Sequence, residues 1–258
     1  MRFQDAKERF SNRAEDYARY RPGYPPEILG LLGTWCQFSP QHVIADIGSG
    51  TGLLSQIFLE NGNRVFGVEP NAEMRAAGEE FLRRYPRFTS VAGSAEATTL
   101  RDDSVDFVAA AQAFHWFEKE PTRREFRRIL KARGRVVVLW NERLLEETAF
   151  LREYEELLRR FGTDYARVHE SYPRNEQMLD LFGKNEFASH ALPNGQEFAF
   201  EGLSGRLRSS SYAPAPGHPQ FEPMMEELRR IFDTHQVNGK VRMEYRTRIY
   251  TGRLDILE

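Results

Sequence analysis

The sequence predicts a doubly wound α/β fold, and three observations predict it. Apolar runs alternate with helical patterns through the first 140 residues or so. Those runs carry no polar alternation, as strands buried on both faces require. The stretch DIGSGTG, Asp46 to Gly52, sets three glycines on alternate positions between an apolar run and a helical pattern. A strand, a glycine-rich turn and a helix in that order make the ligand-binding corner of doubly wound sheets.

The elements follow in chain order. PPEILGLLGTW reads as a helix and HVIADI as the strand that ends at the glycines. GLLSQIFLENG is a helix closed by Gly62, and RVFGVE is the next strand. PNAEMRAAGEEFLRRY is a helix with Asn71 as its N-cap. FTSVAG and VDFVAAAQAF are the third and fourth strands. PTRREFRRILKARG is a helix with Pro121 in its first turn and Gly134 at its end, and RVVVLW is the fifth strand.

The pattern changes after Asn141. Residues 144 to about 183 read as helical, with Phe150, Tyr154, Leu157, Leu158 and Phe161 on one stripe. SSSYAPAPGHP is a loop, and Phe221, Met224, Leu228, Ile231 and Phe232 mark a further amphipathic helix. In VRMEYRTRIYTG, Val241, Met243, Tyr245, Thr247 and Ile249 alternate with polar residues. One solvated face predicts an antiparallel or edge strand, expected to pair with EFAFEGL over 197–203.

Composition narrows the function. At 258 residues, with 40% hydrophobic and 29% charged, the chain can bury one sizeable core. A formal net charge of -2 gives no reason to expect a nucleic-acid surface. The single Cys36 rules out an internal disulfide, and no two of the six histidines stand at helical ligand spacing, so no metal is expected. MRFQDAKERF lacks the apolar stretch of a signal peptide, and no run reaches the ~18 apolar residues of a membrane span. A cytoplasmic protein without membrane contact is the expectation.

The glycines have two readings. They serve a plain strand-to-helix turn, or they let the main chain lie against a ligand with no side chain between. Glu69, ending RVFGVE 17 residues after Gly52, is placed to accept hydrogen bonds from ribose hydroxyls. The dinucleotide fingerprint G-x-G-x-x-G fails, because its third glycine would be Leu53. That disfavours a nicotinamide oxidoreductase. What stands instead is acid-x-G-x-G-x-G, from Asp46, Gly48, Gly50 and Gly52.

This pattern resembles the first motif of the class I S-adenosylmethionine-dependent methyltransferases. Glu69-Pro70-Asn71 resembles the second motif, GSAEA the third, and DFVAAAQAFHWF the fourth. YARYRPGYP and HWF are most similar to the small-molecule type 11 subgroup, which includes the trans-aconitate methyltransferases and their fungal relatives. The resemblance implies a seven-stranded Rossmann-like sheet, mostly parallel with one antiparallel C-terminal strand, plus a helical insertion. It implies one methyltransferase domain over 1–258, with an N-terminal lid and first helix over 1–40 and a substrate cap over 144–195. It also implies methyl transfer from S-adenosylmethionine to a small molecule, with a carboxylate among the acceptors it allows. A S-adenosylmethionine-binding regulatory protein without catalysis is the alternative.

The same resemblance distributes the residues. Asp46, Gly48, Ser49, Gly50, Thr51, Gly52, Glu69, Pro70 and Met74 would surround the cofactor. Ser94, Ala95 and Glu96 would border adenine, and Gln112 and Ala113 would flank the methionine portion. Arg21 would face the methionine carboxylate; a surface charge is the plain alternative. Tyr17, Tyr20 and Tyr24 are lid residues or ordinary aromatics. His115, just past the fourth strand, has a neutral-range side chain suited to a general base, or it only contacts cofactor or acceptor. Trp116, Trp140 and Arg143 complete the candidate acceptor side, Arg143 as a holder of anions or as an exposed helix-entry charge.

Overall fold

The structure, a computed structural model, describes residue 16 and residues 19–166, 175–183 and 187–254. Tyr17 and most of the expected lid before it lie outside the described residues. Helix α1 (Glu27–Cys36) leads into β1 (Val43–Ile47), and α2 (Leu53–Glu60) follows the glycine turn. Next come β2 (Arg64–Val68), α3 (Ala72–Leu82), β3 (Phe88–Val91) and β4 (Val105–Ala111). A short 3-10 turn at Phe114–Trp116 precedes α4 (Lys119–Ile129) and the long β5 (Leu130–Arg143). The remainder is α5 (Ala149–Phe161), α6 (Asn175–Phe182), β6 (Phe187–Phe198), α7 (Phe200–Arg208), α8 (Phe221–His235) and β7 (Val241–Gly252).

The seven strands form one sheet in the order β3-β2-β1-β4-β5-β7-β6. Pairs from β3 through β5 are parallel, whereas β7 runs antiparallel to both β5 and β6. The winding reverses between β1 and β4. At that switch point the strands' carboxyl ends open a crevice for a ligand.

Local chemistry explains the elements. Asn71 caps α3 by accepting from the Glu73 and Met74 amides, as its place in the sequence predicts. Thr148 caps α5 by accepting from Leu151 N. Ile28, Leu32, Phe58 and Leu82 pack α1 to α3 on one face of the sheet, and Phe126, Ile129 and Phe182 pack α4 and α6 on the other. A further cluster, including Phe150, Tyr154, Leu158, Leu203, Leu228 and Met243, ties α5, α7 and α8 to the β6–β7 end. Each fully buried Leu, Ile or Phe there contributes about 1.5–3 kcal/mol.

Three expectations need correction. Helix α4 stops at Ile129, because Leu130 already pairs with Val105 and Gly134 belongs to the strand. Strand β7 pairs with 187–198, so of the expected run 197–203 only Glu197 and Phe198 pair, and Phe200–Arg208 is helical. Among the described residues the region 144–195 is helical at 149–161, 165–166 and 175–182, and its end is strand β6. β7 is therefore internal, and β6 forms the edge.

Candidate functional site

The glycine turn is built from two kinds of residue. Gly48, Gly50 and Gly52 have φ of +66°, +55° and +87°, a region other residues adopt at a cost. The Gly48 and Ser49 amides both donate to Val68 O, at 2.9 and 3.2 Å, binding the turn to β2. A Cβ on Gly48 would stand 2.6 Å from Ala113 Cβ, and one on Gly52 would stand 2.5 Å from Leu82 Cδ1. The helix behind is equally close, since a Cβ on Gly78 would meet Gly50 O at 3.0 Å.

Gly48, Ser49 and Gly50 are partly open to solvent, whereas Asp46 and Thr51 are 1% exposed. Asp46 therefore does not face a ligand. Its Oδ2 accepts from Ser55 Oγ at 2.7 Å and so fastens α2 beneath the turn. Burial raises the Asp46 pKa to about 7, against the lowering effect of the Ser55 hydrogen bond and with help from the nearby Glu69 charge. Met74, at 5% exposure, packs below Gly50.

Glu69 has the arrangement expected of a ribose acceptor. Its Oε2 accepts from Gly50 N at 2.9 Å and its Oε1 from Asn71 N at 2.8 Å. Each carboxylate oxygen has two lone pairs and can accept more than one donor. Ser94 and Ala97 bridge each other through their backbones, and the intervening Ala95 is buried. Glu96 accepts from Glu118 N at 3.0 Å, where α4 begins.

At the end of β4, Gln112 has φ +56°, strained for a residue with a side chain. Gln112 Nε2 donates to Asn141 O at 3.1 Å. Asn141 in turn donates to Gly23 O at 3.1 Å and accepts from Thr247 Oγ1 at 2.6 Å. One residue, through its carbonyl and its side chain, thus joins β4, β5, β7 and the segment before α1. The sequence offered Asn141 only as a strand end.

A cavity of about 40 Å³ lies beside the turn. Leu53, at the start of α2, and Gln112 bound it on the sheet side. Arg21 and Tyr24 line it from the N-terminal side, Tyr165 from the 144–195 segment, and Arg206 and Tyr212 from α7 and the turn after it. Arg21 Nη2 donates to Ser209 O at 2.8 Å and Nε to Ser209 Oγ at 3.1 Å. Tyr20 packs on α7 so closely that a Cβ at Gly205 would stand 2.1 Å from its Cε2.

Arg143 is no exposed helix-entry charge. Its side chain is 9% exposed, donates to Glu155 Oε2 at 2.6 Å and to Tyr165 OH at 3.0 Å, and stacks over Tyr154. Nη1 is buried without a hydrogen bond. His115 stands with its ring edge-on to Trp140 at 5.0 Å and 4.6 Å from Trp116. Its Nδ1 is buried without a partner, and burial lowers its pKa to about 3. Burial thus favours the neutral imidazole and weakens it as a base. Trp116 and Trp140, at 8% and 3% exposure, are core residues beside it. Arg206 and Tyr212 had escaped the sequence reading.

The fold and the corner define a class of protein. Seven strands with an inserted antiparallel β7, an acid-anchored glycine turn and an acid after β2 are the architecture of the class I S-adenosylmethionine-dependent methyltransferases. Residues 45–138 match the family model of the methyltransferase domain. An uncharacterised methyltransferase of Schizosaccharomyces pombe is 26% identical over 226 residues, 87% of either chain. Another from Mycobacterium bovis is 35% identical over 153 residues, 59% of this chain and 60% of its own. Among solved structures, a putative type II methyltransferase from Anaeromyxobacter dehalogenans has a TM-score of 0.66 at 23% identity, over 91% of this chain and 98% of that one. S-adenosylmethionine is accordingly the methyl donor. The open backbone of Gly48–Gly50 and the poised Glu69 oxygens fit it. Among the described residues no group of acids, histidines or cysteine could hold a metal, and no helix is long and apolar enough to cross a membrane.

Proposed function

We propose that the methyl group goes to a small molecule held in the cavity between the glycine turn and the cap. The observation that carries this reading is the enclosure. Leu53 links the cavity to the turn, while Tyr24, Tyr165 and Tyr212 close it from outside. A polymer would need an open groove there.

S-adenosylmethionine supplies an electrophilic methyl on a sulfonium that is its own leaving group. The protein's task is to align the acceptor and exclude water. In this reading Glu69 holds the ribose hydroxyls, oriented by Gly50 N and Asn71 N. Gly48, Ser49, Gly50 and Pro70 line the cofactor, Ser94 to Glu96 border adenine, and Gln112 and Ala113 flank the methionine part. Arg21 faces the methionine carboxylate. Asp46, Thr51, Gly52 and Met74 support the turn from beneath. His115, with Trp116 and Trp140, shapes the acceptor side without moving a proton. Tyr20 and Tyr24 hold the N-terminal segment over the site.

The test is to incubate the protein with radiolabelled S-adenosylmethionine and a cell extract, then separate products by mass. Label in the low-mass filtrate is expected. Label confined to protein or nucleic acid would overturn a small acceptor.

A further inference from the structure

Arg206 is a buried cation without a carboxylate. Its residue is 6% exposed, yet Nε meets Tyr245 OH at 3.1 Å and Nη1 meets Ser210 Oγ at 3.0 Å, both neutral hydroxyls. Among the described residues it has no ion pair. A buried charge is costly unless an opposite charge meets it.

Arg143 lines the same cavity, and its Nη1 is buried without a hydrogen bond. Its Glu155 partner is shared with Tyr165 and Arg159, so one carboxylate serves two guanidiniums. Glu142, the acid in the lining, is held by Arg248 at 2.7 Å. The lining brings Arg21, Arg143 and Arg206 together around one cavity, with Glu142 as its acid. Tyr212 reports the same field. Burial opposes ionisation of its hydroxyl, yet Arg206, Arg143 and Arg21 outweigh burial and hold its pKa below the usual value.

We propose that Arg206 and Arg143 form an anion subsite that receives a carboxylate of the methyl acceptor. This rests on the acceptor site proposed above. A guanidinium fork matches the planar carboxylate. The cavity, at about 40 Å³, has room for about three waters or one such group. The carboxylate would complete the charge balance that the protein leaves open, and it would fix the acceptor's orientation beside the glycine turn.

The test is calorimetric titration of the S-adenosylhomocysteine-loaded protein with succinate, glutarate, citrate, inorganic phosphate and succinamide. At least one carboxylate is expected to bind at least tenfold more tightly than succinamide. Arg206→Met and Arg143→Met should each weaken it tenfold or more, with S-adenosylhomocysteine affinity kept within threefold. Thermal melting checks each variant; where a methionine variant does not fold, Arg206→Lys and Arg143→Lys take its place, retaining charge but losing the fork. Carboxylates binding no better than succinamide, phosphate binding in their stead, or affinity unmoved by the variants would each overturn the subsite. If the wild type fails to bind S-adenosylhomocysteine, the site itself is refuted; if only the carboxylates fail, the subsite alone is.

Discussion

The guanidinium of Arg143 donates to the Glu155 carboxylate at 2.6 Å, with each side chain less than a tenth exposed. Burial pushes the Glu155 carboxyl up, but Tyr165 and Arg143 outweigh it and hold its pKa below the usual value. Its stabilising contribution is thus present above the unfolded carboxyl range and fades as pH falls through it. Removing one partner of a buried pair costs about 3–5 kcal/mol. Glu155→Ala should lose that much in urea unfolding at pH 7. A loss under about 1 kcal/mol would show the pair to be solvated.

Asp46 should give the opposite pH dependence. Its carboxyl is raised from 3.8 to about 7, so between these values the native state holds a proton that the unfolded chain has lost. Stability therefore falls as pH rises through this window. Asp46→Asn keeps an acceptor for Ser55 and cannot ionise. Its stability relative to wild type should improve from pH 4 to 7 by at most about 1.4 kcal/mol per pH unit, then level off. Urea unfolding at pH 4.5, 6 and 8 measures it, and a flat difference would contradict a protonated Asp46.

Glu69 should decide cofactor affinity. Charged hydrogen bonds contribute about 1.5–3 kcal/mol each. Glu69→Ala should therefore weaken S-adenosylhomocysteine by at least about a hundredfold in calorimetry, two such bonds being lost. NADH should not bind either protein. An alanine variant with wild-type affinity would remove Glu69 from the site.

Glycines in the chain should differ in sign. Gly52→Ala meets Leu82 at 2.5 Å in a backbone with φ +87° and should destabilise by about 1–3 kcal/mol. Gly30 is exposed in α1, with nothing within 4 Å of a Cβ, so Gly30→Ala should stabilise by about 0.4–1 kcal/mol. Thermal melting of the two variants in opposite directions is the expected result.

His115 should leave no mark near pH 6.5 on turnover. A base removed by mutation costs about 10²–10⁴ in rate. His115→Gln should lower kcat by less than about tenfold, with the greater effect on acceptor KM and an unaltered pH profile. Loss of an ionisation from the kcat profile would restore the histidine as a base.

The sequence carried the first five strands, the turn and the Asn71 cap plainly, because each uses local chemistry. It misread α7 for a physical reason. Gly202 and Gly205 are poor helix formers, and that helix persists because Leu203 and Leu207 enter the core and Tyr20 lies on Gly205. β6 was obscured by Pro193 and Gly195, which an edge strand tolerates. The glycine turn and the Glu69–Asn71 corner were legible because their residues cluster within short motifs. Arg206 and Tyr212 carry no motif and stand more than 150 residues after the glycines, so only folding brings them together. The burial that lowers the His115 pKa was equally invisible, since it comes from packing.

The place of β7 sets an order of assembly. It follows every other strand in the chain, yet it must enter between β5 and β6. Until it does, β5 presents an open edge and β6 has no neighbour in the sheet. Such edges are templates for pairing with other molecules. Refolding should therefore pass through a late, self-associating species whose yield falls with protein concentration. That species would also lack Arg248 on Glu142 and Thr247 on Asn141, so the pocket matures only with the last strand.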